Sequence, residues 1–200
     1  MKRQPLLFFT LLGMLLLLPA LLWAATVERL HLDDLVERSH RVLVADVLAV
    51  EARAEGTRVM TTVTLRVEET WKGAHQEELV LRQPGGRDLD ADLATFIPGL
   101  PNFEPHTRIL LFLTETGEST FAVTGMAQGF FRIVKAPDQF QEVVLPRLHG
   151  LHFIDGRSEA RPGTAKVRQH EELYSSPHFL DDLRFEVQRL LATEPGESLR

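Results

Sequence analysis

Apolar and polar residues alternate along much of the chain between residues 41 and 145, and this alternation predicts a series of β-strands. The pattern is clearest in residues 59–71, where Val59 to Val67 place apolar residues mostly at odd positions and polar residues at even positions. A period of two over about ten residues is typical of a strand with one buried face. Further strands are predicted over residues 41–52, 77–83, 107–115, 120–125, 128–135 and 140–145.

Some strands carry apolar residues on both faces. Residues 107–115 are apolar throughout their middle, which favours a central position in a sheet. Phe130 and Phe131 are neighbours on a predicted strand and therefore point to opposite faces. One of them is expected in the core and the other exposed or covered by the C-terminal helix.

Two segments instead have helical spacing. Residues 30–40 predict a short helix with Asp33 and Asp34 in its first turn, where carboxylates interact favourably with the helix dipole. Residues 177–192 predict an amphipathic helix with Ser176 as its N-cap and Pro177 at its first position. Five to six of these seven predicted segments, together with the two helices, predict a mainly β fold, namely a small antiparallel OB-like barrel.

The N-terminal 24 residues have the pattern of a secretory signal peptide. Lys2 and Arg3 precede a long apolar run, and the small residues Ala24 and Ala25 offer a cleavage site. The alternative is an uncleaved segment that anchors the protein in the inner membrane, since the run approaches the length of a bilayer span. A secreted or periplasmic location is expected.

The remaining chain divides by composition. Residues 25–145 hold the predicted strands, residues 146–176 form a polar linker or extension, and residues 193–200 are expected to be a disordered tail after the helix.

Composition excludes several functional classes. The chain has no cysteine, which excludes thiol nucleophiles, zinc–thiolate sites and iron–sulfur clusters. Its formal net charge of −6 argues against nucleic acid as a partner. Contact with a membrane is expected only through the N-terminal segment, if it is not removed. The expected partner is a protein or another component of the cell envelope.

A proline-rich stretch from Pro84 to His106 predicts an unusually long loop. Loops of this length within a compact domain are uncommon and are often functional. Four apolar residues within it either fold onto the end of the barrel or form a contact surface, and we interpret them as an interaction loop: Phe96, Ile97, Leu100 and Phe103.

The same stretch begins with Gly85-Gly86 and three alternating aspartates, Asp88, Asp90 and Asp92. The glycines lack the lysine and hydroxyl residue of a phosphate-binding loop. The aspartates match the first three ligand positions of a calcium loop, but Leu93 and Gly99 stand where glycine and glutamate are needed. We therefore predict no bound metal or cofactor, with a weak calcium site at the aspartates as the alternative.

No catalytic residue is predicted. The chain lacks the G-x-S-x-G and S-x-x-K motifs of hydrolases, and Ser39-His40 is only a neighbouring pair at a helix end. His170 begins a zinc-like H-E-x-x-H motif, but Tyr174 replaces its second histidine. His149 and His152 have a spacing that a metal could share, although Gly150 favours a loop.

The order of the elements resembles that of a poorly characterised domain of exported bacterial proteins. The resemblance rests on "DLVERSHRVLVADVLAVEA", "TTVTLRVEETWKG", "LVLRQPGG", "GLPNFEPHTRILLFL" and "VTGMAQGFFRI". That domain occurs alone or beside a metzincin-type protease domain. More distantly, the chain is similar to the netrin-like OB-fold modules of tissue inhibitors of metalloproteinases, which have a strand pair ending in Trp-Lys-Gly. This chain lacks the N-terminal cysteine and the disulfides of those inhibitors, so the resemblance implies a fold and a compartment but no inhibitory residue.

The sequence therefore favours an exported, non-enzymatic binding or interaction module of unknown ligand. Two alternatives remain open. One is a regulator or inhibitor of an extracytoplasmic protease, acting through the loop at residues 84–106. The other is a hydrolase whose site is assembled from dispersed residues.

Overall fold

A computed structural model describes residues 25–117, 120–136, 140–148, 151–154 and 172–193. The predicted signal peptide and the end of the C-terminal tail lie outside these residues, as does most of the predicted linker. Among the described residues the strands are β1 Ala25–Glu28, β2 Arg41–Glu55, β3 Arg58–Lys72, β4 Glu78–Pro84, β5 Gly86–Asp88, β6 Leu93–Thr95, β7 Arg108–Gly117, β8 Thr120–Val123, β9 Phe130–Lys135, β10 Glu142–Pro146, β11 Leu151–Ile154 and β12 His178–Phe179. The α-helices are α1 Leu32–Arg38 and α2 Leu180–Thr193, and two short 3₁₀ helices span Met126–Gly129 and Glu172–Tyr174.

Eight strands form one antiparallel sheet in the order β12-β10-β9-β7-β2-β3-β4, with β8 paired to β7. Strand β7 is central, because β2 pairs with one of its edges while β9 and β8 pair successively along the other. The mainly antiparallel β architecture and the central position of residues 107–115 are therefore confirmed. The sheet has more strands than the five or six that the sequence predicts.

The long strands β2 and β3 carry the curvature of the sheet. Their pairing shifts register between Val42 and Leu43, between Val44 and Ala45, and again between Val47 and Ala49. Such bulges bend a strand and increase its twist. The bending brings β4 into contact with β8. Within the described chain β4 pairs only with β3 and β8 only with β7, so hydrogen bonds do not close the sheet into a barrel.

Both faces of the curved sheet are buried. One face, here called the helix-side cluster, consists of Leu30, Leu35, Val36, Val42, Val44, Trp71, Leu110, Phe112, Phe131, Ile133, Val144, Leu173, Leu180, Leu183 and Val187. The other face, the loop-side cluster, consists of Leu43, Ala45, Val47, Val63, Leu65, Val67, Leu79, Leu81, Phe103, Ile109, Leu111, Leu113, Phe121 and Phe130. Phe130 and Phe131 fall in different clusters, so the predicted opposition of their side chains is confirmed.

The two predicted helices are present and both pack on the helix-side cluster. Helix α2 docks at the end of β3, where Arg184 lies over the Trp71 ring at 5.6 Å from its centroid and pairs with Glu69 at 2.8 Å. The predicted start of this helix at Pro177 is wrong. His178 and Phe179 pair with β10 instead, so the helix begins at Leu180.

The N-terminal segment is held by a buried side chain. Gln128, in the first 3₁₀ helix, accepts a hydrogen bond from the Leu30 backbone N–H at 2.8 Å and donates one to the Glu28 carbonyl at 3.0 Å. Strand β1 also pairs in parallel with β11. This pair was not expected from the sequence, and it places part of the predicted linker within the folded structure.

Candidate functional site

The predicted long loop contains a hairpin made of β5 and β6. The hairpin is attached to the paired strands β2 and β3, here called the β2–β3 ribbon, near the turn that joins them. The Asp88 carboxylate accepts a hydrogen bond from the Ala54 backbone N–H at 2.8 Å. The Thr95 hydroxyl accepts one from the Val59 backbone N–H at 2.9 Å. Each strand of the hairpin is thus tied to one strand of the ribbon. The sequence predicted a loop over the whole of residues 84–106, but residues 86–95 of it form this short hairpin.

The two glycines make this attachment sterically feasible. Gly85 donates its N–H to the Val59 carbonyl at 2.8 Å and accepts a hydrogen bond from the Thr61 hydroxyl at 2.5 Å. Gly86 has φ +118°, and a Cβ atom on it would lie closer than 3.0 Å to the same hydroxyl oxygen. The glycine pair is therefore a packing feature that lets the hairpin approach the ribbon.

The three aspartates have separate surroundings. Asp88 is buried and also accepts hydrogen bonds from the N–H groups of Asp90 and Ala91, at 3.0 and 3.2 Å. The hydrogen bond from Ala54, followed by those from the turn, holds the pKa of Asp88 below its ordinary value of 3.8. Asp90 pairs with Arg53 at 3.2 Å on the surface, and Asp92 occupies the turn with φ 46°.

Asp88 thus organises the turn and the hairpin attachment. No group of three or more His, Cys, Asp or Glu side chains that could hold a metal ion occurs within the part of the chain that the structure describes.

The four apolar residues predicted to form an interaction loop differ in their exposure to solvent. Phe103 is only 6% exposed and packs edge-to-face on Phe130, with ring centroids 5.2 Å apart. Ile97 and Leu100 are half-buried, whereas Phe96 is 85% exposed. The hairpin exposes a second large side chain, Leu89, to 75%. Leu89 was missed in the sequence, although an apolar residue between two aspartates in a polar turn was a usable signal.

A groove of about 360 Å³ lies between the segment after β6 and strand β9. Its walls include Leu100, Asn102 and Glu104 from the segment, and Phe130 and Arg132 from β9. Thr107, just before β7, and Arg147, just beyond β10, complete the described lining. Of these residues, only Leu100 was predicted from the sequence as a contact residue, because the groove forms between separate elements whose approach no local pattern reveals.

A second cavity, of about 570 Å³, lies between residues 145–148 and residues 174–177. Burial, together with the negative charge of Asp34, raises the pKa of Tyr174 at its edge, so this phenol stays neutral. Apart from this phenol and the Arg147 guanidinium, the side chains of its described lining carry only hydroxyl and apolar groups, so the cavity is not assigned as a site.

The candidate catalytic residues have other roles where they are described. The Ser39 hydroxyl forms a hydrogen bond with the Thr124 hydroxyl at 2.8 Å. The His40 Nδ1 atom accepts a hydrogen bond from the Glu115 backbone N–H at 3.2 Å. His149 and His170 lie outside the described residues, as does the side chain of His152, so neither histidine motif is placed.

Fold and site together define the class of protein as an antiparallel β domain with two helices on one face of its sheet and a hairpin and groove along residues 84–107. The chain matches no protein-family model, no curated protein and no solved structure. Among the described residues, no helix has the length and apolar character needed to cross a membrane.

Proposed function

We propose that this chain is an exported, non-enzymatic binding module whose recognition surface is the β5–β6 hairpin. The main observation is that Leu89, and Phe96 just after β6, are exposed to solvent, while the Asp88 and Thr95 side chains of the hairpin accept hydrogen bonds from backbone N–H groups of β2 and β3. Apolar side chains on a backbone that is already ordered avoid the cost of ordering a loop on binding. Aromatic side chains of this kind are also frequent energetic centres of protein interfaces.

For the fold we propose an OB-like, partly open barrel related to the exported bacterial domain that the sequence resembles. The meander β2-β3-β4, the pairing of β7 with β2 and the approach of β4 to β8 support this assignment. OB folds are five-stranded, partly open barrels that bind ligands on one face and in their loops. The basic and apolar residues 1–24 support export to the periplasm or the medium.

A non-enzymatic role without a resident metal is supported by the hydrogen bonds that already engage the candidate reactive side chains. The Asp88 carboxylate is engaged by backbone N–H groups, and the Ser39 hydroxyl by Thr124. The acidic net charge favours a protein or envelope partner over nucleic acid.

The test compares binding by three forms of the purified chain. The first is unchanged, the second carries Leu89→Ser with Phe96→Ser, and the third carries Phe185→Ser as a control, since Phe185 is 70% exposed on α2. Each is immobilised and exposed to the envelope extract of the organism that makes it. We expect saturable binding of one partner to the first and third forms, and at least about tenfold weaker binding to the second. Equal binding of that partner to all three forms, or no saturable binding to any, contradicts the proposal.

A protease regulator is the second candidate, and the rigidity of the hairpin favours it. Protease inhibitors bind through surfaces that move little between the free and bound states. A panel of metallo- and serine proteases tests this candidate. The absence of inhibition by the chain at micromolar concentration would exclude it for the enzymes tried.

A further inference from the structure

The groove beside β9 combines an apolar floor with charged walls. Phe130 forms the floor and is fixed by its edge-to-face contact with Phe103. Leu100, half-buried, continues the apolar surface. The floor is anchored in the loop-side cluster, because Phe130 and Phe103 both belong to it.

The walls carry one more positive than negative charge. Glu104 and Arg132 form an ion pair at 3.2 Å. Arg147 is exposed and makes no hydrogen bond or ion pair with a described residue, and the same is true of the Asn102 amide. The groove therefore has a net positive charge, although the formal charge of the chain is −6. A single carboxylate would neutralise the charge of the groove.

We propose that this groove binds the C-terminal residue of a peptide that ends in an apolar amino acid. The terminal carboxylate is held by Arg147, with Arg132 beside it. The apolar side chain of that last residue lies on Leu100 and Phe130, and the Asn102 amide bonds to the last peptide group. Arginine recognises carboxylates through two parallel hydrogen bonds, and peptide C-termini are a recurrent target of small binding modules.

A peptide fits this lining better than a fatty acid does. Apolar side chains line the floor, while the walls present an amide, a carboxylate and two guanidinium groups. A long hydrocarbon chain would leave these polar groups without partners, which is unfavourable. A peptide backbone instead supplies donors and acceptors for them. The groove is separate from the hairpin surface, since neither Leu89 nor Phe96 lines it.

The test is a titration of the nitrogen-15-labelled chain followed by amide chemical shifts. The probes are N-acetyl-Ala-Ala-Leu with a free carboxylate, the same peptide as its C-terminal amide, and octanoate. Each is added to about 10 mM, enough to detect a millimolar Kd. We expect the free acid to shift amides at 100–104 and in β9, and the C-terminal amide to bind at least about tenfold more weakly.

Arg147→Gln is the test variant, and Arg58→Gln is its matched control, because the Arg58 side chain is also exposed and makes no hydrogen bond or ion pair with a described residue. The first should weaken binding of the free acid about tenfold and the second should leave it unchanged. Thermal denaturation checks that both variants fold. The proposal is overturned by equal binding of acid and amide, by equal binding to both variants, by octanoate binding as tightly as the peptide, or by no shift at the highest concentration. Loss of partner binding in the Leu89→Ser, Phe96→Ser form with peptide binding intact would separate the two sites.

Discussion

Replacing Gly86 by alanine tests whether the β5–β6 hairpin is seated on the β2–β3 ribbon. Gly86 has φ +118°, and the new Cβ would lie closer than 3.0 Å to the Thr61 hydroxyl and 3.0 Å from the Ala52 Cβ. Backbone strain of this kind costs about 1–3 kcal/mol. Overpacking of a closely fitted contact costs about 1–3 kcal/mol more. The variant should therefore lower the free energy of unfolding by at least about 2 kcal/mol.

Gly56→Ala is the matched control. Gly56 also has a positive φ, +63°, but a Cβ there would meet nothing within 4 Å. Its substitution should cost only the left-handed backbone penalty of about 1–2 kcal/mol. Urea denaturation followed by circular dichroism and by Trp71 fluorescence measures both free energies.

A double-mutant cycle with Thr61→Ala isolates the steric part. Thr61→Ala alone removes a buried hydrogen bond to the Gly85 carbonyl and should cost about 1 kcal/mol. In the Gly86→Ala background the same change also relieves the clash, so the double variant should be more stable than the sum of the two losses implies. If Gly86→Ala costs no more than Gly56→Ala, or if the cycle gives no coupling, the hairpin is not packed against the ribbon as described.

Two other predictions concern the same segment. Phe103→Ala should destabilise the protein by about 3–5 kcal/mol, because the buried ring packs on Phe130. Phe96→Ala should change the free energy of unfolding by no more than about 0.5 kcal/mol, because that ring is exposed. Similar losses for the two variants in urea denaturation would refute the assignment of one ring to the core and the other to the surface. The pKa of Asp88 is lowered in the folded state, so its contribution to stability is present above pH 3.8 and is lost as pH falls through the lowered value. Asp88→Asn should reduce this acid-dependent loss in denaturation midpoints measured from about pH 6 to 2, and an unchanged pH dependence would contradict the assigned hydrogen bonds.

The regular elements were predictable because their burial repeats along the sequence. Strand β3 keeps one buried and one exposed face over most of its length, so a period of two reveals it. Helix α2 was recognisable from its apolar stripe, which Leu183 and Val187 place on the sheet. The first residue of the helix could not be recognised from the sequence. His178 and Phe179 pair with β10, and this tertiary contact competes with the capping signal at Ser176.

The short strands could not be predicted, for a different reason. Strands β5 and β6 have three residues each, too few for a periodic pattern. They are stabilised by Asp88 and Thr95 contacts to backbone groups more than thirty positions away. The parallel pair of β1 and β11 joins segments even further apart in sequence. Local propensity carries no information about such pairings.

The candidate site was predictable as a segment but not residue by residue. Phe96 and Phe103 have the same side chain and stand seven positions apart in an aperiodic stretch, so no pattern distinguishes the exposed ring from the buried one. Phe103 is buried because it covers the loop-side cluster, which helices do not reach. The groove likewise depends on Arg132 on β9 and on Arg147 just beyond β10, which lie fifteen positions apart and come together only through the pairing of these strands.

The anchoring of residues 84–106 bears directly on how they could recognise a partner. Gly86 and Asp88 fix the start of the segment to the ribbon, and Phe103 fixes its end in the loop-side cluster. The conformational entropy of ordering this backbone is therefore lost during folding rather than during binding. A flexible loop would lose it on association, at about 1–2 kcal/mol for each residue whose backbone becomes ordered. Leu89 and Phe96 can therefore contribute most of their buried area to affinity, and this is the physical reason to place recognition on the hairpin rather than on the helices, whose apolar faces already cover the sheet.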